Sequence, residues 1–202
     1  MNPYVVVKEF EKKLSEYTGA PYVVCVDSCT NAMFLICKRL GVEKTILPKQ
    51  TYLSIPMSII HAGGEVKFED REWSGMYQIK PYPIWDAAKR MRKDMYVEGS
   101  YMTLSFHVKK HLPIGKGGAI LCDNKEDYEW FRKARYEGRT DGLSYHDDDI
   151  EFCGWNMYMT PTQAIWGMQL MANLKDNNPD LIEDPTYRDL TTFKVFENDS
   201  IT

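Results

Sequence analysis

The sequence predicts an α/β fold: a three-layer α/β/α arrangement around a mainly parallel sheet. Three observations carry this expectation. Short apolar runs bounded by turn residues alternate with segments of helical period, and several of the runs end on polar residues just before a helix or loop. The composition, 44% hydrophobic and 27% charged over 202 residues, is that of a globular chain with one substantial core.

The elements follow in order. VVVKEFEKKLSEYTG spaces Val6, Phe10, Leu14 and Tyr17 as one helical face and stops at Gly19, a natural C-cap. YVVCV reads as a buried strand. DSCTN then opens a second helix, with Met33, Phe34, Cys37 and Leu40 on one face and Gly41 as its stop. EKTILPKQTY supplies a strand and a turn, LSIPMSIIHAGG a short helix and EVKFED a strand. YPIWDAA ends a strand on an acid; YMTLSF and GGAILCD are strands, and KEDYEWFRKARYEG is a helix. After the acidic loop YHDDDIEF, PTQAIWGMQLMANL is a helix. Residues 1–175 are expected to form one domain. Residues 176–202, polar and without periodicity, read as an extension or mobile tail.

The net charge of −4 argues against nucleic acid as a partner, because phosphate binding needs a basic face. No apolar run approaches the ~20 residues of a membrane span, so no membrane partner is expected. The charged start MNPYVVVKEFEKK does not resemble a signal peptide. Five cysteines, an odd number with no CxxC pair, fit a reducing compartment, and a cytoplasmic location is expected.

In α/β sheets ligands gather at the carboxyl ends of strands. The candidate ends are Asp27–Thr30, Gln50–Tyr52, Asp86 and Ser105–Lys110. PIGKGGA is not a P-loop, since Lys116 is followed by glycine and then a strand. His107 and His111, four apart, lie in a stretch with Pro113 and several glycines that does not favour a helix, so no metal site is expected. Asp86 closes an apolar strand, and a carboxylate there needs a cation or hydrogen bonds, or else serves as a helix N-cap. Pyridoxal phosphate requires an anion cradle, an aromatic platform, an acid for its pyridinium and a lysine for a Schiff base. DSCTN, TY, WDAA and SFHVKK offer these parts in that order.

The same motifs resemble the DegT/DnrJ/EryC1/StrS sugar aminotransferases, pyridoxal-phosphate enzymes of fold type I. FEKKLSEYTGAPYVVCVDSCTNAM is similar to that family's opening helix, strand and "SGT" turn, and ILPKQTYLSIPMSIIHAGGEVKFED to its "VP..T...T..A....G..P.F.D" stretch. IWDAAK resembles "EDAAQ", LSFHVKKHLPIGKGGAIL resembles "FSFHP.KN...GEGG", and CGWNMYMTPTQAIWGMQL resembles "GYN.RM...QAA.G..QL". The resemblance implies the large domain of fold type I, shortened, with the C-terminal small domain largely absent.

Carried over by position, Lys110, five residues after the serine of SFH, would form the Schiff base and move the proton. Asp86 would face the pyridine nitrogen, and Tyr52 would stack on the ring. Ser28, Cys29, Thr30 and Asn31 would hold the phosphate with Ser105, and Lys89 would border the cofactor. Asn156 would reach the site of a neighbouring subunit, implying a homodimer with shared sites. The implied reaction passes an amino group from glutamate to a keto sugar nucleotide. The alternative is a chain that binds the cofactor but is catalytically impaired and serves as a binding or regulatory protein.

Four departures stand out. Cys29 replaces the glycine of SGT, Lys89 the glutamine of EDAAQ, and Tyr158 the arginine of GYN.RM. Only 21 residues separate Gly64 from Asp86, where the family has a further strand–helix unit.

Overall fold

A computed structural model describes residues 4–182 and 187–196; the remainder of the expected tail lies outside the described residues. α1 (Val5–Thr18) ends as its spacing requires, with Gly19 in the left-handed region at φ 79°. β1 (Tyr22–Val26) leads into α2 (Cys29–Leu40), whose N-cap Ser28 accepts from the Asn31 amide at 3.1 Å. β2 (Lys44–Pro48), α3 (Ser54–His61) and β3 (Glu65–Glu69) complete the first half. The second half holds β4 (Tyr77–Ile79), β5 (Ile84–Asp86), β6 (Tyr101–Ser105), β7 (Gly118–Cys122), α4 (Lys125–Ala134) and α5 (Pro161–Met171). Thr160 and Gln163 close a reciprocal capping box at the start of α5.

Three layers form because β1 and β7 are apolar on both faces. Val24, Val26, Ile120 and Cys122 face the side covered by α2, α3 and α4. Val23, Cys25, Ala119 and Leu121 face the side where Phe10, Leu14 and Ala164 of α1 and α5 pack. Between α1 and this sheet lies a buried ion pair. Arg135, 4% exposed, donates to Glu11 and to the Cys25 carbonyl, while Glu11 also accepts from the Cys25 amide at 2.8 Å.

The expectation of a mainly parallel sheet is corrected by the strand directions. The five-stranded sheet runs β1-β7-β6-β5-β4 and is mixed: β5 and β6 are parallel, while β1–β7, β7–β6 and β5–β4 are antiparallel. Two causes account for this. β7 returns directly against β6 after the loop that follows Ser105. The stretch from Tyr77 to Asp86 makes a tight hairpin, pairing Tyr77 with Asp86 and Ile79 with Ile84. The parallel pair β2–β3 joins the end of this hairpin through a bridge between Ile46 and Lys80, with N–H···O distances of 2.8 and 3.0 Å.

Candidate active site

The strand directions decide where the site forms. β1, β5 and β6 end on one side of the sheet, and the antiparallel β7 and β4 begin there. Ser28, Asp86, Ser105, Gly118 and Tyr77 therefore meet at one edge. They border a cavity of about 410 Å³ lined by residues that include Ser28, Cys29, Thr30, Tyr52, Asp86, Lys89, Ser105 and Lys110.

The α2 N-terminus forms one wall. Cys29 is its first residue and has a helical, negative φ, so the position does not require glycine. Burial first, and then the Asp86 charge, push the Cys29 thiol up to about 12, which keeps it a neutral wall atom. The glycine this turn does need is Gly118 on β7, where a Cβ would run into the Cys29 amide nitrogen. Thr30 donates from its hydroxyl to Ser54 Oγ at 2.9 Å, bringing α3 into the wall.

Asp86 is 4% exposed and forms the floor. Oδ1 accepts from the Ala88 amide at 3.0 Å, and the Tyr77 hydroxyl, itself 2.6 Å from Thr51 Oγ1, also bonds the carboxylate. Burial raises its proton affinity despite these bonds and the nearby Lys110 and Lys89 charges. The site thus presents a desolvated carboxylate at its floor, amides and hydroxyls at a helix N-terminus, and a lysine facing both. Such a donor set suits a ligand with a phosphate at one end and a basic ring nitrogen at the other.

Asn31 does not line the cavity, and neither does Asn156, which is expected at the site of a neighbouring subunit. The Asn31 side-chain amide donates to Asp27 at 2.7 Å, because that carboxylate stands one helical turn away. Asn156 pairs with Tyr136 and donates to Glu137 at 2.6 Å, and it does not line the cavity. Lys109 and Lys116 also line the cavity, and Lys116 pairs with Asp27 at 3.3 Å.

Trp73, Tyr77, Ser54 and Tyr187 went unrecognised. The Lys89 ammonium lies over the Tyr187 ring at 4.3 Å and the Trp73 ring at 5.0 Å. Tyr187 belongs to the C-terminal segment expected as an extension or mobile tail. That segment is joined to the domain by Asp180, which accepts from Arg90 and Arg92, and by the Leu190 amide, which donates to the Lys49 carbonyl at 2.8 Å. Among the described residues no His, Cys, Asp and Glu cluster could hold a metal, and no helix is long and apolar enough to cross a membrane.

The cavity thus brings together a helix N-terminus, a floor carboxylate and a lysine on the loop after β6. The chain belongs to the DegT/DnrJ/EryC1/StrS aminotransferase family, whose model matches residues 2–96 and 93–180. It is 24% identical, over 84% of its length, to the spore coat polysaccharide biosynthesis protein SpsC of Bacillus subtilis. It is 23% identical, over 85%, to the UDP-4-amino-4,6-dideoxy-N-acetyl-beta-L-altrosamine transaminase of Campylobacter jejuni. The chain spans 57% of the length of each of these curated relatives.

Among solved structures, it superposes on the DesV ketimine complex of S. venezuelae with a TM-score of 0.72 at 19% identity. That match covers 84% of this chain and 57% of the other. A putative sugar aminotransferase of Streptococcus pneumoniae in its PMP form gives a TM-score of 0.67 at 19% identity, covering 84% and 59%. These likenesses establish the fold.

Proposed function

We propose that this chain is the cofactor-binding part of a pyridoxal-phosphate-dependent aminotransferase that moves an amino group from glutamate to a keto sugar nucleotide. The observation that carries this is the convergence of Lys110, Asp86 and the Ser28–Thr30 helix start on one cavity. The relatives' names support it: one acts on a UDP-linked amino sugar, and another, of Bacillus subtilis, is a 3-oxo-glucose-6-phosphate:glutamate aminotransferase.

Pyridoxal phosphate, when bound, supplies an aldehyde that captures amines and a ring that withdraws electrons. The Ser28–Thr30 amides and Ser105 would hold the phosphate, where the helix dipole favours an anion. Asp86 would keep the ring nitrogen protonated; a cationic partner would repay the desolvation that its carboxylate now bears. Tyr52, 53% exposed at the mouth, would lie against the ring. Lys110 would act as the amine nucleophile and then as the base that moves a proton from the substrate carbon. The proposed assembly is a homodimer, with exposed Asn156 directed to the neighbouring subunit's site.

The test is to incubate the protein with pyridoxal phosphate and record its visible absorption, then repeat with Lys110→Ala. The reading expects a visible band in the native chain that is lost in the variant. It also expects bleaching of that band when glutamate is added. If the native chain takes up no cofactor at excess concentration, the proposal fails.

A further inference from the structure

Lys89 lines the same cavity as Lys110, together with Lys109 and Lys116, so it is one of several amines that could meet a carbonyl compound entering there. Their surroundings differ. Lys89 is 8% exposed, and its ammonium lies within 5.0 Å of two aromatic rings, Tyr187 and Trp73, whose planes are 14° apart with centroids separated by 6.3 Å. Aromatic faces attract a cation through their quadrupole and offer a neutral amine nothing comparable, so the two rings favour the charged form against the cost of its burial.

Both rings are fixed by independent anchors. Trp73 Nε1 donates to the Gln50 carbonyl at 2.9 Å. Before Tyr187, the Leu181 amide donates to the carbonyl of Lys89 itself at 2.9 Å, and Asp180 accepts from Arg90 Nε at 2.9 Å. After it, Asp189 pairs with Lys49 at 3.4 Å. The C-terminal segment is thus tied to the backbone of the very residue whose side chain it covers. The trio Trp73, Lys89 and Tyr187 also forms the partition between the main cavity and a second one of about 300 Å³ lined by Gln50, Arg71 and Glu72.

We propose that Trp73 and Tyr187 are positioning residues that hold Lys89 as an ammonium, so that it does not compete with Lys110 as the amine nucleophile. To add to an aldehyde, an amine nitrogen donates its lone pair to the carbonyl carbon. Its two protons then leave with the carbonyl oxygen as water. An ammonium has no lone pair and cannot begin this reaction. The cage belongs to the protein alone, while the role of Lys110 as the nucleophile rests on the cofactor reading above.

The test uses the full chain without added cofactor, treated with limiting formaldehyde and cyanoborohydride and then mapped by peptide mass. Lys89 is expected to be methylated about tenfold more slowly than Lys44, whose side chain is 82% exposed. Tyr187→Phe keeps the ring face and should keep the protection. Tyr187→Leu keeps bulk without the face and should raise the Lys89 rate several-fold, with Trp73→Leu as the second such variant. Equal rates for Lys89 and Lys44 in the native chain, or equal rates in the Phe and Leu variants, would overturn the proposal.

Pyridoxal phosphate with borohydride is then applied to Lys110→Ala and to Lys110→Ala/Tyr187→Leu. Labelling of Lys89 is expected only in the double variant, and labelling in both would overturn the proposal. If neither these variants nor the native chain is labelled while the formaldehyde pattern holds, the cage is supported and the cofactor reading has failed.

Discussion

Gly118 on β7 abuts the backbone of Cys29 so closely that a Cβ would overlap the Cys29 amide nitrogen. The strand therefore sets how near the α2 N-terminus comes to the sheet edge. Gly118→Ala should force the two apart, costing about 1–3 kcal/mol by overpacking. It should also weaken pyridoxal phosphate binding more than binding of phosphate-free pyridoxal. Urea melts and the two titrations, run side by side, check both parts.

The Glu11–Arg135 pair ties α1 to the end of α4 beneath β1. Glu11→Gln leaves a buried guanidinium without its nearest carboxylate and should destabilise the chain by about 3 kcal/mol. Glu11→Leu combined with Arg135→Met removes both charges and should recover much of that loss. The shift of the urea midpoint in the single and double variants measures the difference.

Asp86 carries a pH dependence of unusual sign. Burial raises its pKa in the folded state, so the folded form binds the proton more tightly than the unfolded chain. Its favourable contribution is complete below the ordinary carboxylate range and is lost as pH rises through the raised folded value. Asp86→Asn should therefore make the cofactor-free chain more stable at neutral pH and flatten this part of its stability profile. The same variant should bind pyridoxal phosphate poorly. Chemical denaturation from pH 4 to 8 tests the first statement.

Asp180 behaves in the ordinary sense. The Arg90 hydrogen bond lowers its pKa, so its contribution is complete above the usual carboxylate range and fades as pH falls through the lowered folded value. Asp180→Asn should cost about 1.5–3 kcal/mol in local stability of the C-terminal segment. Hydrogen exchange at the Leu181 and Leu190 amides at neutral pH should accelerate accordingly, with the β7 amides unchanged.

Much of this site was legible in the sequence because its residues sit where local patterns change. Ser28, Asp86 and Ser105 each follow an apolar run, and a polar residue ending such a run marks a sheet edge. Lys110 could be told from Lys109 and Lys116 only through the family resemblance, since all three line the cavity. That Asp27 takes the Asn31 side-chain amide is not visible in the motif. The direction of β4 was hidden, since three residues of strand carry no periodicity and the pairing depends on the turn Lys80–Pro83. Tyr187 lay in a polar stretch without pattern, and its place over Lys89 is set by contacts distant in sequence.

The β4–β5 hairpin also bears on how the molecule assembles itself. A crossover unit makes sheet neighbours of segments far apart along the chain, and closing that long loop costs entropy before any contact rewards it. Here Ile79 and Ile84 meet across one turn, and the pairing carries Tyr77 to Asp86 in the same step. This end of the five-stranded sheet is thus a local structure, of the kind that lowers contact order and speeds folding. The floor of the cavity is built by the part of the chain with the shortest distance to travel.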